Sequence, residues 1–368
     1  MKNTFGQSVS VTVFGESHGE AIGAIIDGLA PGIRVDTDNI EKKLSLRRPS
    51  GKISTSRCEG DEFSIISGVF NGYTTGTPIC ILIPNKSTKS SDYDTLLDKP
   101  RPGHADYTAA CKYHGFQDPR GGGHFSGRIT APIVAAAALI EPALKEKGIF
   151  VATHISSLCG IADDSFGDYL KDAEALADKS FPTISDECGR KMREAIEAIA
   201  SEGDSVGGIL ESVIYGLPGG LGEPYFDSLE STISHAVFSV PGVKGIEFGL
   251  GFGFANLKGS EANDPIRTDG KKIYTKTNNN GGINGGISNG MPITLRTAIK
   301  PTPSVFKEQD TVSLSKMQNE RLTISGRHDP AIIHRARAVI DATLILAVAD
   351  ALAVRYGTDF LMPRAKEQ

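Results

Sequence analysis

What the chain lacks narrows its class first. No apolar run approaches the roughly 20 residues that a bilayer-spanning helix needs; the longest near the middle, residues 133–140, is less than half of that. The opening Met1-Lys2-Asn3-Thr4-Phe5-Gly6-Gln7 leads straight into an alternating pattern without an apolar core, so no secretory signal and a cytoplasmic location are expected. Five cysteines, at 58, 80, 111, 159 and 188, are odd in number and include no Cys-x-x-Cys pair, which argues against a disulfide framework and a zinc site. No metal is expected: histidines 104, 114 and 124 are ten apart, and neither His-x-His nor His-Glu-x-x-His occurs. Positive charge is not in excess. With 39 Lys and Arg against 44 Asp and Glu the net charge is -5, so no nucleic-acid partner is expected and any positive field must be local. A Rossmann fingerprint and a Walker sequence are missing as well; Gly249, Gly251 and Gly253 alternate within a strand-like run at the wrong spacing.

What is present is an ordinary globular composition, 39% hydrophobic and 23% charged, long enough at 368 residues for one elaborate domain or two. No internal repeat or clean linker splits it, so residues 1–368 are read as a single domain. Glycine is the outlier, 42 of 368 residues against roughly 7% in average usage, which places much of the backbone in turns or close to a ligand. Val9, Val11 and Val13 alternate with polar residues over 8–14, predicting a strand, with a hairpin partner at 22–26. Asp36 or Asp38 can cap a helix carrying Ile40 and Leu44 on one face. Strands are expected at 62–70, 78–84, 206–217 and 291–300, and helices at 107–116, 186–202, 227–238 and 332–356. The helix after the glycine run must begin near Thr130 to tolerate Pro132, and Pro142 predicts a kink. Residues 163–203 read as an acidic, peripheral excursion.

The chemistry sits in short loops punctuated by glycine and proline. Arg120-Gly121-Gly122-Gly123-His124-Phe125-Ser126-Gly127-Arg128 is an anion cradle by composition, because successive amides without a Cβ can converge on an oxyanion and Ser126 or Thr130 can cap the next helix. Alone it reads as a tight loop entering a helix; its company changes that. Gly15-Glu16-Ser17-His18-Gly19 ends the first strand, while Arg101-Pro102-Gly103-His104-Ala105-Asp106 and Ser325-Gly326-Arg327-His328-Asp329-Pro330 each set a histidine beside an arginine and an aspartate. Arg47 and Arg48, followed by Lys52 and Arg57, are either helix-dipole complements or anion ligands. Arginine forks match carboxylate and phosphate, and a histidine near its ordinary pKa of about 6.5 can protonate a departing phosphate. The set therefore suits a small polyanion. Gly-x-Ser-x-Gly occurs at Ser17 and Ser288, but neither precedes the helix that a nucleophile elbow needs.

Taken together, Phe14-Gly15-Glu16-Ser17-His18-Gly19, the 101–106 loop, the glycine run, Lys300-Pro301-Thr302 and Gly326-Arg327-His328-Asp329-Pro330 resemble the chorismate synthase family in order and spacing. The resemblance implies an α+β fold, a single-domain β-α-β sandwich with helices between antiparallel sheets, assembled as a homotetramer. It implies a lyase that converts 5-enolpyruvylshikimate 3-phosphate to chorismate and phosphate by 1,4-anti elimination, using reduced FMN. Reduction of the flavin by the chain itself and by another enzyme both stay open; with no reductase segment in view, NADPH is expected as an indirect reductant. By similarity His18 protonates the leaving phosphate, His104 acts on the flavin near N1, and Asp329 works with flavin N5 as the base for the C6 hydrogen. Arg47, Arg48 and Arg128 are implied substrate ligands. His124, Phe125, Ser126, Pro241, Gly242, Gly285, Lys300, Pro301, Thr302, Pro303, Ser304 and Arg327 fall at flavin-contact positions. Where the family usually carries Gly-Gly-Gly-Arg-Ser-Ser-Ala-Arg, this chain has His124, Phe125 and Gly127 in place of Arg, Ser and Ala. Two other readings stay open: a non-catalytic binder of anions or flavin phosphate, and a phosphatase-like hydrolase built on a histidine pair or Ser17.

Overall fold

The alternating valines near the start of the chain become a strand. Ser10–Gly15 (β2) pairs with Thr4–Phe5 (β1) on one side and, as the expected hairpin, with Ala21–Asp27 (β3) on the other. Along β3, Ile22, Ala24 and Ile26 turn to the core, the period-two pattern of a sheet with one covered face. Ser64–Ser67 (β4) and Ile79–Pro84 (β5) complete an antiparallel sheet in the order β1-β2-β3-β5-β4. A second antiparallel sheet comprises Phe150–Leu158 (β6), Ile161–Ala162 (β7), Gly208–Tyr215 (β8), Val243–Phe248 (β9) and Ile293–Ile299 (β10), in the order β9-β10-β8-β6-β7. In β10 every second side chain, Ile293, Leu295, Thr297 and Ile299, is buried. The computed structural model describes residues 2–49, 51, 53–54, 60–86, 98–324 and 329–363.

The main helices are Thr37–Arg47 (α1), Asp106–Tyr113 (α2), Thr130–Glu146 (α3), Tyr169–Leu176 (α4), Asp186–Ser201 (α5), Leu229–Val237 (α6) and Ile333–Tyr356 (α7), and α3 and α7 fill the space between the sheets, as the resemblance implies. Helix α3 lies on β2, β3 and β5, helix α7 lies on β6 and β8, and the two helices pack on each other. The result is a sheet-helix-sheet sandwich. Asp36 caps α1 by accepting from the Asn39 amide at 3.0 Å, and the Ile40, Leu44 and Arg47 face of that helix is buried. The same stripe that anchors α1 therefore delivers a guanidinium at its end.

Helix α3 starts at Thr130, which leaves Pro132 in the first turn where its missing N–H costs nothing. Pro142 stays inside the helix. It deprives the carbonyl of Ala138, four residues back, of its donor, and the Asn39 side chain on α1 donates to that carbonyl at 2.8 Å. Counted with its leading turn, Gly127–Glu146 is the one helix among the described residues long and apolar enough to cross a membrane, and it is buried in the core. One strand-like stretch is overturned: β9 stops at Phe248, and Gly251–Asn256 forms a 3-10 turn. Gly249 and Gly251 take φ of 55° and 54°, which bends the chain out of the sheet, and the Phe252 amide donates to Glu247 at 2.9 Å.

The 163–203 excursion carries α4 and α5, and Asp163 ties it to the second sheet. Its carboxylate accepts from the Ile184 and Ser185 amides and from His154 Nδ1 at 2.9 Å, while His154 Nε2 donates to Glu211 at 2.8 Å on the neighbouring strand. Burial disfavours charge on His154, but the two carboxylates outweigh it and raise its pKa. A raised histidine stabilises the fold fully below its unfolded pKa of about 6.5 and progressively less as pH climbs through the folded value. The urea midpoint should accordingly fall between about pH 6 and pH 9, with a flatter profile in His154→Gln; parallel profiles would remove this link. Asn39→Ala should cost about 1–3 kcal/mol by orphaning the Ala138 carbonyl. In a Pro142→Ala background, where the helix supplies its own donor, that cost should drop by roughly 1 kcal/mol; strict additivity in chemical denaturation would show that Asn39 does not serve this carbonyl.

Candidate active site

A cavity of about 1030 Å³ is walled by β2, the glycine run, α7, and the ends of α1, α3 and α6. Small-molecule sites commonly occupy about 300–1,000 Å³, so more than one small ligand has room here. The histidines and the acid of three distant loops meet in it: His18, His104 and Asp329 all line the wall, as do Arg47, Arg48 and Arg128. So do His124, Phe125 and Ser126, the Pro241-Gly242 pair, and Lys300, Pro301, Thr302, Pro303 and Ser304. Gly285 is not brought to this wall. It occupies the exposed turn between Ile283–Asn284 and Ile287–Ser288, with open space where a Cβ would stand. Arg327 lies outside the described residues.

The glycine run is what lets the two imidazoles share one wall. Gly121 and Gly122 have φ of 60° and 83°, a region that glycine enters without penalty. A Cβ at Gly121 would collide with Cε1 and Nδ1 of His18, and one at Gly122 would sit 3.4 Å from Cε1 of His104. The loop bearing His18 is pinned from three directions. The Ser17 amide donates to the Gly123 carbonyl at 3.1 Å, His124 Nδ1 donates to the Gly15 carbonyl at 2.8 Å, and the Asn85 side chain donates to the carbonyls of Glu16 and Gly19 at 3.0 and 2.8 Å. His124, a departure from the family pattern, thus braces the histidine loop. Ser17 is fully buried and follows a strand that leads into another strand, so no nucleophile elbow forms.

His104 faces Asp106, whose carboxylate accepts from Nδ1 at 2.5 Å and from Arg101 in a two-point fork, both bonds 2.8 Å. The carboxylate fixes the proton on Nδ1, which leaves Nε2 as an acceptor 3.3 Å from the Arg101 guanidinium. Burial alone would raise the Asp106 carboxyl, yet the hydrogen bonds from Arg101 and His104 hold it far below the ordinary range. Lys300 donates to the Gly103 carbonyl, which fastens the 300–304 strap to this loop. Burial and the charge of Lys244 both push the Lys300 ammonium down from its usual value.

The arginines converge on Asp61. Its buried carboxylate accepts from Arg47 at 2.8 Å and from Arg128, with Arg48 Nε 3.6 Å away. Arg128 also donates to Asn85 at 3.0 Å, so one asparagine joins the arginine cluster to the His18 loop. Asp329 pairs with Arg335 on the first turn of α7. Beside it, burial and Arg335 push His334 down to about 4, keeping that imidazole neutral at physiological pH. Lys2, Arg47, Arg48, Arg128, Lys244, Lys300 and Arg335 line the cavity against Asp329 as the one lining carboxylate among the described residues. An acidic chain has concentrated cations around one hollow, the field a polyanion needs.

Sequence reading did not find Asp61, Asn85, Lys244 or Arg335. Asp61 stands in the irregular segment before β4 and Asn85 just after β5, with no motif around either, Lys244 reads as an edge-strand lysine, and Arg335 reads as one polar position of an apolar helix. Arg101 was within reach, since it shares a six-residue loop with His104 and Asp106. Gly121→Ala should destabilise the fold by roughly 1–3 kcal/mol through overpacking against His18, whereas Gly127→Ala, in open space with ordinary φ, should stay within about 0.5 kcal/mol. Equal melting-temperature shifts for the two variants would refute the close approach of Gly121 to His18.

Over residues 9–353 the chain matches the family model for chorismate synthase. The chorismate synthase of Pyrococcus abyssi is 45% identical over 350 residues, spanning 95% of this chain and 97% of that protein. That of Methanosarcina barkeri is 45% identical over 366 residues, 98% of each, and that of Dehalococcoides mccartyi is 44% identical over 370 residues, all of each. A crystal structure of chorismate synthase superposes with a TM-score of 0.74 at 27% identity, covering 96% of this chain and 94% of that one. With the match running nearly end to end and the fold in agreement, the chain belongs to the chorismate synthase family.

Proposed function

We propose that the chain converts 5-enolpyruvylshikimate 3-phosphate to chorismate and phosphate with reduced FMN bound beside the substrate. Family membership makes it a lyase of the shikimate pathway. The observation that carries it is the meeting of two imidazoles, one carboxylate and an arginine cluster in one cavity large enough for two ligands. The lining also fits a flavin. Ile133, Val339 and Leu346 offer apolar surface for a planar ring system, and Lys244 and Lys300 offer cations for its phosphate. His124, Phe125, Ser126, Pro241, Gly242, the 300–304 strap and Arg327 would hold it, and Gly285, remote from the wall of the single chain, is left out of that set. Reduced flavin, when bound, supplies an electron-rich neighbour that makes loss of phosphate from the ring easier without net redox change.

The chain's own residues do the rest. Arg47, Arg48 and Arg128 bind the phosphate and carboxylates of the substrate and neutralise charge that builds on the departing group. His18 places a proton on the phosphate oxygen as its bond to C3 breaks. Asp329, paired with Arg335, is the acceptor for the proton lost from C6. His104, its Nδ1 proton held by Asp106, lines the cavity and acts on the flavin near N1. The buried apolar wall limits water, so phosphate leaves by elimination and not by hydrolysis. We further read the enzyme as one domain, a cytoplasmic homotetramer, whose flavin is reduced by a separate NADPH-dependent enzyme.

Anaerobic incubation with 5-enolpyruvylshikimate 3-phosphate should yield chorismate and phosphate in equal amounts, only with reduced FMN present. Equal phosphate release with and without flavin would favour a hydrolase and remove the lyase reading. His18→Ala and Asp329→Asn should each lower kcat by roughly 10²–10⁴-fold, and wild-type turnover in either would cancel its assigned role.

A further inference from the structure

Asp61 is a fully buried carboxylate behind the arginines that line the cavity. Its side chain has no solvent exposure, its φ is 47°, and its two oxygens are divided between Arg47 on one side and Arg128 on the other, with Arg48 against the first. The three guanidiniums come from two separate elements, the end of α1 and the turn before α3. Nothing in those elements makes them converge, and like charges gathered in a low-dielectric wall repel. A single internal anion solves both problems. It cancels part of the repulsion, and the planar fork of each guanidinium that touches it is fixed in orientation. Among the described residues, three guanidiniums gather around this one carboxylate. Arg48 also donates to the Gly60 carbonyl and Arg128 to the Pro84 carbonyl at 3.3 Å, which further fixes their orientation.

We propose that Asp61 is the positioning residue of the anion site: a built-in counter-ion that aligns Arg47, Arg48 and Arg128 before substrate arrives. This rests on the reading of the cavity as a polyanion site. Two independent measurements test it on the full chain. In the first, melting temperature is followed with inorganic phosphate against chloride at matched ionic strength. Asp61→Asn keeps the shape but removes the carboxylate charge shared by the three arginines, so phosphate should stabilise it more than it stabilises the wild type. In the second, steady-state kinetics with 5-enolpyruvylshikimate 3-phosphate and reduced FMN should show KM in Asp61→Asn raised by at least about tenfold with a smaller change in kcat. Asp61→Glu, with its charge kept but displaced, should recover the wild-type phosphate response while KM stays above wild type.

A purely structural Asp61 would lower the melting temperature and leave both the phosphate response and KM, measured well below melting, at wild-type values; that result overturns the proposal. Should Asp61→Asn yield no folded protein, Asp61→Glu decides: raised KM supports the role, wild-type KM ends it. If the wild type fails to turn over the substrate, the functional reading falls while the phosphate titration still decides on Asp61.

Discussion

Three residues without side chains hold this structure's chemistry in place. Because Gly121 and Gly122 carry no Cβ, the backbone before α3 can lie directly against the rings of His18 and His104. Every other feature of the cavity is arranged around that approach. The Gly123 carbonyl receives the Ser17 amide, His124 reaches back to Gly15, and Asn85 grips both ends of the turn that bears His18. The first sheet, α3 and two histidine loops are thereby locked to one another at the point where the chain is thinnest.

Electrostatics add a second constraint. Collecting guanidiniums and ammonium groups at one wall is unfavourable unless each has an anion or a dipole nearby. The structure meets this with a few placed carboxylates: Asp61 among three arginines, Asp329 with Arg335, and Asp106 with Arg101 and His104. Among the described residues, the arginine cluster sets three guanidiniums around the single carboxylate of Asp61. The apolar layer behind the wall, formed by α3 and α7 between two sheets, keeps these groups from relaxing into water.

The local structure was largely legible in the sequence, because it follows from short-range periodicity. The valine alternation of β2, the Asp36 cap with Ile40 and Leu44, the start of α3 at Thr130 and the long apolar α7 all follow from spacings within a few residues. The sandwich did not follow from spacing. It depends on β3 pairing with β5 some fifty residues on, and on α3 and α7 meeting across two hundred, and the resemblance carried that part. Within the site the histidines were readable since each sits among glycines and prolines. Asp61, Asn85 and Arg335 were not, because a lone polar residue acquires meaning only from the partners that tertiary folding brings to it. Gly249 and Gly251 misled in the opposite sense: alternation with apolar residues imitates a strand, but positive φ turns the chain instead. Gly285, carried over by similarity, stands apart from the wall that its companions share.

The central claim is that one cavity accommodates a flavin and a polyanionic substrate at the same time. Calorimetric titration of oxidised FMN into the protein, with and without saturating 5-enolpyruvylshikimate 3-phosphate, tests it most directly. The account predicts one FMN bound per chain in both cases. Loss of FMN binding when the substrate is present would mean that the two compete for the same space, and would contradict it.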